Sequence, residues 1–397
     1  MKDIQRPLLG VLIQRFLRPL TTIQVLIGPR QVGKTTLIHQ LSAQMPFKSS
    51  YHTADSPAIL GPEWIEQHWS TARLESKIQN TPILLCFDEI QKIDNWSEIV
   101  KKYFDEDRRE GRDIRILLSG SSTTELDTGL SDSLAGRFEK LIATHWTYKE
   151  CQEAFGVSLG DYFRFGGYPG AYAFMSDRNR WGSYVQNSLI DPIIGKDILM
   201  RIPIRKPVLL RQLFILACCY GGQIVSFQKL LGQLQDAGNV TTLSHYKDII
   251  EQALLIAGLP KYTDSQLRKR SSPPKWLPLN TALMTSLSEN GSDEWQPGTL
   301  AWGRLVEVAV GAHLYNHCLG TSIKVYYWHE AHHEVDFVLA YQDKIIALEV
   351  KSGVHSKIKG VSAFKSQYPH AKLIKVGGDG IDLELFFSIT PKDLFEI

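Results

Sequence analysis

Lys34 and Thr35 close the run Gly28-Pro29-Arg30-Gln31-Val32-Gly33-Lys34-Thr35-Thr36, whose spacing has the form G-x-x-x-x-G-K-T. Two glycines at the ends of a short loop allow positive φ and close backbone approach, so successive N–H groups can converge on an anion. A helix starting at Lys34 turns its positive end toward the same point. In such a loop the lysine reaches the outer phosphates of a nucleoside triphosphate, and the Thr35 hydroxyl holds Mg²⁺. A second pair able to do chemistry is Asp88-Glu89, which ends the apolar run 83–87. An aspartate at the carboxyl end of a buried strand can bind Mg²⁺, directly or through water, and its glutamate neighbour can polarise the attacking water. Ser119 follows a third strand-like run, 113–118, and is placed to contact the γ-phosphate or orient that water. Ser121 and Ser122, just beyond it, read equally well as helix N-caps. Arg137 reads either as an arginine finger acting on a neighbouring subunit or as a surface or salt-bridged arginine, and the sequence leaves both open.

A separate constellation lies toward the other end. Glu349-Val350-Lys351 ends the apolar run 344–350, and residues two apart on a strand share a face. Asp336 on a neighbouring strand and Glu307 on a helical stretch, 300–316, can converge with Glu349 on a divalent cation. Lys351 can then stabilise an attacking hydroxide and the charge on phosphate. The same alternation also describes an ordinary half-buried strand with a solvated face. His332 and His333 read as exposed hairpin histidines rather than ligands.

The elements that must position these groups are α/β in kind. Residues 7–18 carry Leu9, Leu12, Ile13 and Phe16 at helical spacing, between Pro7 and Pro19. Strand-like runs at 23–27, 83–89, 113–118 and 139–145 alternate with helical patterns at 34–41 and within 46–80. Further on, 207–220 is an apolar helix, Ser226 can cap 227–234, and Thr241 or Thr242 can cap 245–255. A strand at 259–262 and a basic tip at 267–270 follow, an order resembling a winged helix. Its third helix carries His245, Lys247, Asp248 and Glu251, with little positive excess. The turn Phe165-Gly166-Gly167-Tyr168-Pro169 reads as a helix-capping connector.

A chain of 397 residues is too long for one core, and two or three domains are expected. Lysine and arginine total 44 against 42 aspartate and glutamate, so whole-chain charge argues neither for nor against nucleic acid. No apolar run is long enough to span a bilayer, and Arg15 and Arg18 interrupt the N-terminal apolar stretch, which makes a poor secretory signal. Five scattered cysteines without a C-x-x-C pair fit buried thiols in a reducing cytoplasm.

Taken together, Gly-Pro-Arg-Gln-Val-Gly-Lys-Thr-Thr, Phe-Asp-Glu-Ile-Gln-Lys, Leu-Ser-Gly-Ser-Ser and Leu-Ala-Gly-Arg resemble prokaryotic AAA-type ATPases fused to a C-terminal domain of unknown function. The Asp…Glu-x-Lys region resembles a PD-(D/E)xK nuclease core. The resemblance implies an AAA-type P-loop ATPase domain over 1–150, a helical linker over 151–205, a winged-helix-like domain over 206–295 and a restriction-endonuclease-like α/β domain over 296–397. It implies ATP and Mg²⁺ as cofactors and Mg²⁺-dependent ATP hydrolysis coupled to a nuclease-like domain acting on DNA. A switch with an inactive nuclease-like domain, serving DNA or protein partners, is the alternative. AAA-type relatives often work as rings, so a homo-oligomer is implied, without a subunit number.

Overall fold

The computed structural model describes residues 4–396 apart from 20, 122–125, 127–128, 131–132, 200–203, 235–237, 266–268, 270, 289–292 and 353–358. The chain divides into two units, Met1–Ala143 and Thr144–Ile397.

The first unit is built on a wholly parallel sheet of β1 (Ile23–Gly28), β2 (Ser49–Thr53), β3 (Ile83–Asp88), β4 (Ile114–Ser121) and β5 (Phe138–Ile142), in the order β2-β3-β4-β1-β5. Every residue of β1 and β3 is buried. Strands covered on both faces need continuous apolar runs, which is why these two were legible without alternation. Among the described residues, the sheet is covered by α1 (Pro7–Phe16), α2 (Lys34–Gln44), α3 (Pro62–Gln79) and α4 (Trp96–Glu110). Helix α1 stops at Phe16, short of the expected 18. Its Arg15 guanidinium donates to Gln24 (2.6 Å) and Glu139 (3.0 Å). Strand β4 runs three residues past 118, and β5 ends at Ile142 rather than 145. Strand β2 was not anticipated. It lies at the sheet edge, is only half-buried, and consists of Ser-Ser-Tyr-His-Thr, so it offers no apolar run to read.

In the second unit α5 (Tyr148–Phe155) and α6 (Leu159–Phe165) lead to the glycine pair. Gly166 ends α6 at φ +69°, and the Gly167 amide donates to Asn280 Oδ1 (3.0 Å). The turn therefore caps a helix and docks it. Helices α7 (Pro207–Cys219), α8 (Phe227–Leu231) and α9 (Val240–Gln252) follow, then the antiparallel pair β6 (Ile256–Leu259) and β7 (Lys275–Pro278). Ser226 caps α8 as expected, but α9 starts earlier than read. Its cap is Asn239, which accepts from Thr242 N–H (2.9 Å), and Thr241 and Thr242 lie inside the helix. Of the basic tip at 267–270 only Lys269 lies among the described residues.

A helix α10 (Leu300–Cys318) then packs on a four-stranded sheet of β8 (Lys324–Glu330), β9 (His333–Tyr341), β10 (Lys344–Val350) and β11 (Lys372–Val376), ordered β11-β10-β9-β8. The β8–β9 and β9–β10 pairs are antiparallel, while β10 and β11 are parallel and joined through α11 (Lys359–Gln367). Hydrophobic cores run across the segments 151–205, 206–295 and 296–397. One core joins Leu159 and Phe163 with Leu259, Leu277, Leu305, Val310 and Leu348. A second joins Trp181 and Leu189 with Leu213, Ile250 and Trp276.

Candidate nucleotide site and acidic cluster

The parallel sheet brings Thr53, Asp88 and Ser119 to one level, since Thr53 pairs with Asp88 and Asp88 with Ser119 across neighbouring strands. Open α/β sheets bind ligands beyond their carboxyl edge, and here that edge carries the glycine-bounded loop. The two glycines serve different ends. Gly33 sits at φ +88° and starts α2, whereas Gly28 remains in the strand and lacks the positive φ expected of it. A Cβ at Gly28 would lie 2.1 Å from the Ala143 carbonyl oxygen, so close approach alone demands glycine there. No side chain caps α2 at Gly33, which leaves its first amides directed at the loop. The buried Lys34 ammonium donates to the carbonyls of Gly28 and Pro29, both at 2.9 Å, and so spans the loop. Arg6, itself buried, donates to Val32 O (3.2 Å) and props the loop from below.

Asp88 is the point on which the site converges. Its Oδ2 accepts from the Thr35 hydroxyl (3.0 Å) and the Tyr51 hydroxyl (2.8 Å). Its Oδ1 accepts from the Ser119 hydroxyl and from Glu89 N–H (3.1 Å). Burial, reinforced by the Asp88 charge, pushes the Tyr51 phenol well above its ordinary range, so it stays a donor. Glu89 adopts φ +54°, a left-handed conformation that costs a non-glycine residue about 1–3 kcal/mol and persists where the surrounding structure over-determines it. Gln91 Nε2 donates to Glu89 Oε2 (2.9 Å) and fixes the direction of that carboxylate. Arg30, Gln31, Gly33, Lys34, Thr35, Thr36, Tyr51, Asp88 and Glu89 share a cleft of about 480 Å³.

Tyr51 and Gln91 were missed from the sequence. A tyrosine two residues into a polar edge strand carries no pattern, and Gln91 was noted only as part of a resemblance. Ser119 is where it was expected, but its hydroxyl is committed to Asp88. Ser122 lies outside the described residues. Arg137 makes a bidentate pair with Asp105 of α4 (2.8 and 3.0 Å). Its carbonyl accepts from Ile23 N–H, at the amino end of the strands and opposite the loop.

In the second unit Glu307, Asp336, Glu349 and Lys351 come together, and two unforeseen residues join them. Glu307 on α10 and Glu334 and Asp336 on β9 lie close enough for one oxygen of each to share a cation. Lys275 of β7 places its ammonium among them, 2.6 Å from Glu307, 3.1 Å from Glu334 and 3.8 Å from Asp336. Beside this cluster, Lys351 pairs with Glu349 at 2.6 Å. Burial, with Asp336 adding to it, raises the Glu349 carboxyl above its ordinary value. Glu307 is pushed up to about 7, chiefly by burial and against the pull of Lys275. Between the ordinary carboxyl value and about 7 the folded chain keeps a proton that the unfolded chain has released. Stability from this group therefore falls as pH rises through that window. Glu307→Gln is expected to flatten that fall, read as urea midpoints on either side of the window. An unchanged slope would place its source elsewhere.

Comparison with known proteins bears on the first unit most directly. Residues 21–152 match the family model described as an AAA domain. That stretch is similar to an AAA domain. Two further matches, over 157–294 and 302–385, are to domains of unknown function, DUF8612 and DUF4143. An uncharacterized protein of Mycobacterium tuberculosis is 27% identical over 259 residues, covering 63% of this chain and 53% of its own length. The chain thus spans about half the length of that relative. An uncharacterized protein of Methanocaldococcus jannaschii is 23% identical over 376 residues, 89% of this chain and 80% of its own. Among solved structures, a Thermotoga maritima RuvB variant aligns at 18% identity over 64% of this chain and 87% of that one, with a TM-score of 0.33. The matched stretch contains the loop, Asp88 and Glu89. Among the described residues no helix is long and apolar enough to cross a membrane.

Proposed function

We propose that the chain is a Mg²⁺-dependent ATPase whose AAA domain drives a change of state in the rest of the chain. The observation that carries this reading is the convergence of Thr35, Tyr51, Ser119 and the Glu89 amide on Asp88, in the same cleft as Lys34. The donor set fits a phosphate-bound Mg²⁺: a hydroxyl and a carboxylate already in contact, beside a lysine and uncapped helix amides. Thr35 and Asp88 would hold the ion, which supplies charge to neutralise the β- and γ-phosphates. The backbone from Gly28 to Thr36 cradles the phosphates and Lys34 balances their charge. Glu89, aimed by Gln91, takes a proton from the attacking water, and Ser119 couples the γ-phosphate side of the site to Asp88.

Arg137 is salt-bridged to Asp105, and action on a neighbouring subunit is the second reading for it. It sits at the amino end of β1, and that strand of six residues spans roughly 20 Å, so its own nucleotide is out of reach. To act in trans it must leave Asp105, and a homo-oligomer is the assembly that would draw it away. For the partner of the second unit, a protein has more support than DNA. Lys247 of α9 is held by Asp248 (2.9 Å) and Glu251 (2.8 Å), and Lys269 lies 4.4 Å over the Tyr326 ring. Among the described residues of that face, these two lysines are thus paired or packed within the chain.

The direct test is ATP turnover by the purified chain with Mg²⁺ and with chelator, beside Lys34→Ala. Turnover that needs Mg²⁺ and is lost together with nucleotide binding in Lys34→Ala is the expected result. A wild-type chain that neither binds nor hydrolyses ATP would overturn the reading. Within it, Tyr51→Phe removes one donor to a charged acceptor, a loss that converts to roughly tenfold in affinity. The Mg²⁺ concentration for half-maximal turnover should rise by about that factor, and an unchanged Mg²⁺ titration would take Tyr51 out of the site.

A further inference from the structure

A PD-(D/E)xK resemblance implies a divalent cation held by Glu307, Asp336 and Glu349. The residues present do not fit one. A divalent ion needs carboxylate oxygens that are free to turn toward it, with room between them for the ion and its waters. Here at least one oxygen of each carboxylate already has an occupant. Asp336 Oδ2 accepts from Val350 N–H (2.8 Å), and its Oδ1 faces the Lys275 ammonium. Glu307 Oε1 lies 2.6 Å from that ammonium, and Glu349 Oε1 lies 2.6 Å from Lys351. The ammonium also donates to the Asp336 carbonyl (3.2 Å), so it is surrounded by oxygens on several sides.

We infer that the Lys275 ammonium is the resident cation of this cluster and takes the place of a divalent metal. Lys275 is 1% exposed, and its Nζ lies 5.1 Å from the centre of the Phe337 ring, so the side chain is packed inside the fold. Its backbone is equally fixed. Strand β7 pairs with β6, Lys275 bridges Ile224, and the next residue, Trp276, bonds Gln223 O (3.0 Å) through its amide and Val225 O (2.9 Å) through its indole. The lysine is a built-in part of the core rather than an arm that swings aside. One monovalent charge supplied by β7 ties α10 to β9, and the cluster joins elements instead of polarising a phosphodiester. The second unit then works without a metal at this cluster.

This inference stands apart from the ATPase reading and is tested without nucleotide. Bound Mn²⁺ is counted by electron paramagnetic resonance on the full chain, using MnCl₂ alone. Wild type and Asp336→Asn should bind the same number of ions, because the cluster holds none. Lys275→Met should bind one more ion per chain than wild type. Its melting temperature should rise with added Mn²⁺, and both gains should vanish in Lys275→Met/Asp336→Asn. One ion lost from the wild-type count on Asp336→Asn would overturn the inference, since the cluster would then hold metal beside Lys275. A folded Lys275→Met that gains no ion would overturn it as well. Should Lys275→Met not fold, the comparison of wild type with Asp336→Asn still decides.

Discussion

Glu89→Gln is expected to bind ATP as the wild type does while turnover falls by about 10²–10⁴-fold, the range associated with loss of a general base. Glutamine keeps the size of the side chain and can still meet Gln91 Nε2, which now lies 2.9 Å from Glu89 Oε2. It cannot accept the proton of the attacking water. Asp88 is held by Thr35, Tyr51 and Ser119 without the Glu89 carboxylate, so nucleotide affinity should stay within a small factor. Binding of a fluorescent nucleotide and phosphate release, measured on one preparation, separate the two. Normal turnover in Glu89→Gln would transfer the base role to another group.

Lys275→Met is expected to cost about 3–5 kcal/mol of stability in the absence of divalent ions, the usual penalty for removing one partner of a buried charge network. Three carboxylates would lose their common counter-charge, and burial already strains Glu307 enough to lift it to about 7. Adding Glu307→Gln to Lys275→Met should recover part of the loss, because a neutral amide no longer needs the ammonium. Urea midpoints for wild type, the single and the double variant, at one pH above 7, measure both steps. A double variant as unstable as the single one would mean that Lys275 acts through packing on Phe337 rather than through charge.

What the sequence disclosed was local, and what it concealed was brought in from a distance. The loop from Gly28 to Thr36 and the pair Asp88-Glu89 are legible because their chemistry requires fixed spacing along one strand–loop–helix segment. Glu307, Asp336, Glu349 and Lys351 were legible as a pattern, and they do meet. Their setting was not legible. Lys275 follows Pro273-Pro274 and reads as the end of a loop, yet β7 carries it to acids at 307, 334 and 336. Nothing in its neighbours' periodicity marks it as buried. Tyr51 was hidden for a related reason: a half-buried edge strand made of polar residues looks like a loop. The caps show the same limit on a smaller scale, since Asn239 and the two threonines after it are all acceptable N-caps and only the helix start distinguishes them.

The cores shared across the second unit bear on whether its last hundred residues are portable. A fragment cut at 296 would strip Leu305, Val308 and Val310 of Leu259 and Leu277 on β6 and β7, exposing an apolar face. It would also discard Lys275 while keeping Glu307, Glu334 and Asp336. Such a fragment would have an acidic pocket without its ammonium, open to whatever divalent ion the buffer supplies. Metal binding or cleavage measured on it would be a property created by the cut. The intact sheet and the strand that seals it can be inherited only together.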